Sequence, residues 1–463
     1  MYEDEMARKD ARICLRDAWD QMIAELGRAR EAIDDPKLYP PPPTDRNLAE
    51  GYRYLLGFLY GAIDRALSDP DYPYFRRAIQ PLDKATIDNA DAIYLCAEID
   101  GNGTYLVRGQ AQDYRHWRGE ARTSSGRKSP QYVIFEATNA YAGDSGNIAE
   151  LMPGSRVNTG TLDSSNLIVE TDGSFEVLLA PERPEGHMGN FIATKTIRQQ
   201  SNPHGTTKNV DHTGKYLVVR ELFYDWGQED ALDLQIARVG NEGAHPAPLD
   251  STRAAGQMER IGEIVNKQMR FWNEFYSVVL ETYQDMNGDG KQFMPRNAFN
   301  DPAPANLATG GGQSTNVYAG GVYDLGEDEA LIVEIRTPVS PAFMGLHLSN
   351  LWGESLDYAN HISSLNDFQA ELDSDGAKRY VIAHRDPCVP NWLDTTNLSQ
   401  GFMATRWSYT MNPDELPTIK ATKVAFGEIR AHLPSDVRTV SAQERREQIR
   451  IRQEHVQRRY RQY

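Results

Sequence analysis

Thr171-Asp172-Gly173-Ser174-Phe175-Glu176-Val177-Leu178-Leu179-Ala180 and Ser374-Asp375-Gly376-Ala377-Lys378-Arg379-Tyr380-Val381-Ile382-Ala383 are two versions of one pattern. In each, Asp-Gly leads into a strand-like run that ends on Ala, and Pro184 or Pro387 follows at the same offset. Asn190-Phe191 and Asn391-Trp392 come next, then an arginine inside an apolar run, Arg220 or Arg406. Upstream, Thr138-Asn139-Ala140-Tyr141 matches Ser349-Asn350-Leu351-Trp352. Asp-Gly supplies a positive-φ turn, proline stops a strand, and Asn-aromatic anchors a loop on a sheet. Ordered features at nearly constant spacing predict a duplicated strand–turn–strand unit.

Other short apolar runs surround these two, at 92–98, 104–108, 132–137, 216–223 and 232–236, and again at 330–335, 343–348 and 402–409. Turns separate them without intervening helices, which predicts antiparallel sandwiches or jelly rolls rather than a parallel α/β sheet. Asp100-Gly101-Asn102-Gly103 between two runs predicts a hairpin. Leu15, Trp19, Met22, Leu26 and Ile33 form a helical stripe, as do Leu55, Leu59, Ile63 and Leu67 after the Pro40–Pro43 break. A third stripe, Met258, Ile261, Val265, Trp272 and Phe275, follows caps at Ser251 or Thr252.

The expected fold is therefore mainly β with helical additions: two tandem antiparallel β-sandwich or jelly-roll units. Its parts are a helical region at 1–88, a first unit at 89–250, a connecting helix at 251–290, a second unit at 291–440 and an Arg-rich helical tail at 441–463.

The 463-residue chain carries 49 Lys+Arg against 66 Asp+Glu, a net charge of −17. That acidity argues against nucleic acid or an anionic membrane as partner, because phosphate affinity comes from Lys and Arg. No apolar run approaches a membrane span and no leader is visible, so a cytoplasmic protein is expected. Cys14, Cys96 and Cys388 are scattered, which argues against a disulfide framework or a cysteine zinc site. The tail alternates Arg and Glu, as a salt-bridged docking helix does, and a homo-oligomer with tail docking is the expected assembly.

The string Asp375-Gly376, Pro387, Asn391-Trp392-Leu393-Asp394 and Arg406-Trp407 resembles the DUF1214 domain, a domain of unknown function in bacterial and some viral proteins. The resemblance covers about 330–433 and implies jelly-roll sandwiches, often two per chain. The first unit departs from it, with Phe191 in place of Trp392 and an inserted loop at 194–215. The resemblance implies no reaction.

Candidate chemistry rests on single residues. His347 alternates with Leu346 and Leu348 on a strand, and His347 or His361 is a candidate acid or base. Asp394 and Asn350 are candidate orienting groups, with Trp352, Asn391, Trp392 and Arg406 as candidate substrate contacts. Arg220 and Arg406, mid-strand, require anionic partners, either an internal carboxylate such as Asp394 for Arg406 or a ligand. His204, Asp211 and His212 form a further possible cluster, weighed against a solvated loop. Asp285, Asn287 and Asp289 match half of a calcium loop, but Arg296 occupies the position of its bidentate glutamate, so no cofactor is expected and calcium is the weaker alternative. Nucleophile elbows, P-loops and H-E-x-x-H are absent. The expected function is a cofactor-independent lyase, isomerase or hydrolase acting on a small organic molecule in a cavity in or between the units. The alternative is a noncatalytic ligand- or carbohydrate-binding or assembly protein.

Overall fold

The computed structural model describes residues 2–34, 41–121, 125–152, 154–201, 206–278, 294–304 and 315–461. Helices α1 (Tyr2–Asp34) and α2 (Asp45–Leu67) open the chain. Thr44 caps α2 by accepting from the Asn47 amide at 3.1 Å, as its position before the apolar stripe predicts. The first unit contains β1 (Arg76–Ile79), β2 (Ala92–Glu98), β3 (Tyr105–Gln110), β4 (Tyr132–Thr138), β5 (Asn158–Asp163), β6 (Ser174–Ala180), β7 (Asn190–Ala193), β8 (Lys195–Ser201), β9 (Thr207–Thr213), β10 (Tyr216–Leu222) and β11 (Asp233–Arg238). After α3 (Ser251–Ser277) come β12 (Ala303–Pro304), β13 (Asn316–Asp324), β14 (Glu329–Arg336), β15 (Phe343–Ser349), β16 (Ser364–Asn366), β17 (Lys378–Ala383), β18 (Trp392–Asp394), β19 (Gln400–Ser408) and β20 (Thr418–Ala425). Helix α4 (Ala442–Arg461) follows.

Among the described residues, the first unit pairs its strands as β1-β2-β10-β4-β5 and β11-β3-β6-β7. The second pairs them as β12-β13-β19-β15-β16 and β20-β14-β17-β18, the same order strand for strand. Even the parallel pairs recur, β6 with β7 and β17 with β18. Gly173 and Gly376 turn at φ +87° and +78°, and each turn closes on the carbonyl three residues back, Glu170 or Asp373. Arg108–Glu176 bridges β3 to β6, and Glu334–Arg379 bridges β14 to β17 with the charges exchanged. The β8–β9 hairpin is the insertion that distinguishes the first unit.

Each unit encloses its own apolar core. Leu95, Phe135 and Val219 face Val107, Val177 and Leu179 in the first; Val317, Met344 and Trp407 face Val333, Tyr380 and Ile382 in the second. Such side chains contribute roughly 1.5–3 kcal/mol each on full burial. Because side chains alternate along a strand, the residues between them face away from the core. In β10 these are Tyr216, Val218, Arg220 and Leu222, which meet the other unit through Tyr224 and Phe343, rings 5.2 Å apart. Helices α1, α2 and α3 pack together along Ile33, Tyr54, Val265, Trp272 and Tyr276 and close one side of this junction.

Some elements differ from the sequence reading. The stretch 1–88, expected to be helical, also supplies β1, which borders the first sheet. The Asp100–Gly103 turn joins strands of different sheets, because both edges of β2 are already taken by β1 and β10. Neither Gly101 nor Gly103 adopts the positive φ of a tight hairpin. Asp250, rather than Ser251 or Thr252, caps α3, accepting from Arg253 at 2.8 Å.

Helix α4 lies across both units of its own chain. Arg445 pairs with Asp386 at 3.0 Å and Arg452 donates to the Tyr358 carbonyl at 3.1 Å in the second. Arg459 donates to Ala90 at 2.8 Å, Arg458 pairs with Asp230 at 3.2 Å, and His455 packs edge-on against Phe223 in the first. Among the described residues, no helix is long and apolar enough to cross a membrane.

Candidate functional site

The two five-stranded sheets turn their outer faces toward each other, and a cavity of about 220 Å³ lies between them, bordered by α3 and the segment before β2. Register explains which side chains reach it. Arg220 stands opposite Tyr94 and Ile134 in the first unit; Arg406 stands opposite Tyr318 and Gly345 in the second. Tyr94 and Tyr318, and Arg220 and Arg406, are thus topological equivalents, and all four line the cavity. Apolar walls come from Ile79, Ile134, Val218, Leu222 and Phe275.

The polar groups differ between the two walls. In the first unit the Arg220 guanidinium pairs with Glu136 at 2.7 Å, and the other Glu136 oxygen accepts from the Asn158 amide at 2.7 Å. Burial opposes the Arg220 charge, but Glu136 raises its pKa overall. Arg156 lines the same wall and makes no ion pair among the described residues; burial pushes its pKa down against the charge of Glu150, and neighbouring Arg220 acts in the same direction as burial. In the second unit Tyr318 accepts from the Asn316 amide at 2.9 Å, leaving its own proton free to donate. The Arg406 guanidinium lies 5.6 Å from the Tyr318 ring centre, a cation–π distance. It donates to the Ile87 carbonyl at 3.3 Å, while its Nε is buried without a partner among the described residues.

The Ile87 carbonyl is held in place by a strained backbone. Thr86 and Ile87 have φ of +71° and +52°, and a β-branched residue there costs on the order of 1–3 kcal/mol. The Ile87 amide donates to Gly353 at 2.8 Å, which fixes the segment over the second unit. Both residues line the cavity.

A smaller space of about 30 Å³ lies behind Tyr141, walled by Arg65, Arg76 and Asp83. It shares Ala78, Ile79, Thr86, Tyr141 and Trp272 with the large cavity. Burial raises the Asp83 pKa to about 7 against the opposing charges of Arg76 and Arg65. Two Arg76 nitrogens are buried without partners among the described residues.

This architecture has a counterpart among solved structures. A protein of unassigned function from Burkholderia cenocepacia has the same fold. It aligns with a TM-score of 0.71 at 24% identity, over 90% of this chain and 99% of its own. A Vibrio parahaemolyticus protein aligns at TM-score 0.39 and 11% identity, over 80% of this chain and 99% of its own. No protein-family model and no curated protein matches the chain.

Of the residues singled out in the sequence, Arg220 and Arg406 line the cavity. His347 sits one layer behind, donating from Nε2 to the Ile87 carbonyl at 3.3 Å, with Nδ1 buried and unpaired among the described residues. Burial and the Arg406 charge push its pKa down to about 3, so it is neutral near pH 7 and unsuited to be an acid there. His361 and Asp394 do come together, Nδ1 to Oδ2 at 2.7 Å, but away from the cavity on the β18 side. Asp394 therefore is not the partner of Arg406.

Asn350 anchors its loop by accepting from the Trp352 and Glu354 amides, each at 3.0 Å. Trp352 is buried against α2 and donates to the Asn47 carbonyl at 2.8 Å. Asn391 brackets Glu371 through both backbone groups at 2.8 Å, as Asn190 does with Ile168, so this pair is a repeated loop anchor. Trp392 donates to Ala383 at 3.1 Å within the outer sheet. His212 meets Asn139 at 3.0 Å, away from the cavity. His204, Asp285, Asn287 and Asp289 lie outside the described residues. Among the described residues, no group of three or more His, Cys, Asp or Glu side chains could hold a metal ion.

Sequence reasoning missed Glu136, Arg156, Asn158 and Tyr318. A signal for Glu136 existed: the Asn139–Asn350 match, carried three residues back, aligns it with His347.

Proposed function

We propose that this protein takes a small organic molecule into the cavity between its duplicated units and acts on it by proton transfer, without a redox cofactor. Lyase, isomerase or hydrolase chemistry fits that reading. The observation that carries it is the convergence of Tyr318, Arg156, Arg220 and Arg406 on one partly apolar cavity beside a strained backbone at Ile87. Junctions between domains are common places for such sites, and strained backbone collects at functional ones.

Tyr318 is the proposed proton donor. Asn316 occupies an acceptor position on its oxygen, so the hydroxyl proton can turn to a ligand. Glu136 is less available, since Arg220 and Asn158 hold its two oxygens. That restraint on Glu136, and a neutral His347 behind the wall, favour a second reading in which the cavity binds a ligand without converting it. Kinship with the DUF1214 domain is compatible with both readings.

The test is to extract small molecules that co-purify with the protein, identify them by mass spectrometry, and measure rebinding and turnover. Ala404→Trp, which fills the cavity from β19, should abolish rebinding; Tyr318→Phe should abolish turnover and leave binding. Rebinding unaffected by Ala404→Trp overturns the site, and turnover unaffected by Tyr318→Phe overturns the proton donor.

A further inference from the structure

The duplication contains its own control experiment. Glu136 lies three residues before Asn139, and His347 three before Asn350. Their registers agree: Glu136 pairs with Val218, two residues before Arg220, and His347 pairs with Ala404, two before Arg406. Arg220 has a carboxylate at 2.7 Å. Arg406 has a neutral imidazole in the equivalent place, a backbone carbonyl at 3.3 Å, and no carboxylate partner among the described residues. A half-buried guanidinium without a counter-charge is costly, and the protein retains that cost by placing histidine where its other half has glutamate. Arg156, which makes no ion pair among the described residues, adds a second cation to the same space. Around them the walls are Ile79, Ile134, Val218 and Leu222.

Building on the proposed cavity, we infer that its ligand is a small organic anion whose negative group binds Arg406 from the cavity side, supplying the counter-charge that Glu136 supplies to Arg220, and whose apolar body lies on the isoleucine and leucine wall. A carboxylate matches best, because a planar guanidinium takes it through two parallel hydrogen bonds.

The experiment is calorimetric titration of the full-length protein with benzoate, cinnamate and succinate, each beside its neutral amide. The carboxylates should bind at least about tenfold more tightly than the amides. His347→Glu, which rebuilds the first unit's ion pair in the second, should weaken carboxylate binding at least about tenfold and leave the amides unchanged. Arg406→Gln should erase the preference, with Arg406→Lys restoring part of it, so the inference is testable even where His347→Glu fails to fold. Amides binding as tightly as carboxylates would overturn the anion and leave the cavity reading intact. Carboxylates that bind equally well to wild type, Arg406→Gln and the cavity-filled Ala404→Trp would overturn both, as would failure of every probe to bind.

Discussion

His347 should make the protein acid-labile within a defined pH window. Its imidazole is buried beside Arg406 and its pKa falls to about 3, against an ordinary value of about 6.5 in the unfolded chain. Between those values the unfolded chain binds the extra proton, so stability rises with pH and is lost as pH falls. Each pH unit inside the window is worth about 1.4 kcal/mol; from pH 6.5 to pH 5 the loss from this residue is about 2 kcal/mol. His347→Gln keeps a donor for the Ile87 carbonyl but has nothing to titrate. Denaturant unfolding at pH 7 and pH 5, followed by circular dichroism, should show wild type losing about 2 kcal/mol more than the variant across that interval. His455, also buried with its pKa pushed down by burial and by nearby arginines, contributes equally to both proteins and cancels. Identical pH dependence of the two proteins would refute the argument that His347 is held neutral, and with it the absence of a counter-charge for Arg406.

Asp83 should act in the opposite sense. Its pKa is raised to about 7, so stability should fall as pH rises from about 4 to 7, by at most about 1.4 kcal/mol per unit, and carbon NMR should show a carboxyl titrating near neutrality that Asp83→Asn removes. Gly353→Ala should cost more than about 2 kcal/mol in chemical denaturation, since its φ of +73° disfavours a side chain and the new Cβ would lie 1.7 Å from the Tyr276 hydroxyl. Arg459→Ala should cost about 2–3 kcal/mol and make α4 the first site of limited proteolysis, because the guanidinium donates to Ala90 at 2.8 Å and stacks 4.6 Å from Trp226.

The duplicated fold was legible because its signals are local. Asp172-Gly173 and Asp375-Gly376 need positive φ, and alternating runs declare their sheets. The sheet to which a strand belongs is a long-range matter, which is why 92–98 and 104–108 read as a hairpin although β10, more than a hundred residues on, takes the edge of β2. The site was harder. Arg406 stood out as a charge within apolar neighbours, but His347, Asn391 and Trp392 share the same local character and do their work inside the wall or the outer sheet. Nothing near Arg156 or Tyr318 marks them, because their roles arise only when two sheets distant in sequence face each other. Comparing the copies with each other, Glu136 against His347, carries more functional information than either copy alone.

The central claim is that an anion belongs between the two units at Arg406. A crystal structure of the protein grown with a saturating carboxylate tests it most directly. Density for the carboxylate against the Arg406 guanidinium, absent in crystals of His347→Glu, is the expected result. Density on the outer surface only, with the cavity holding nothing but water in both proteins, would contradict it.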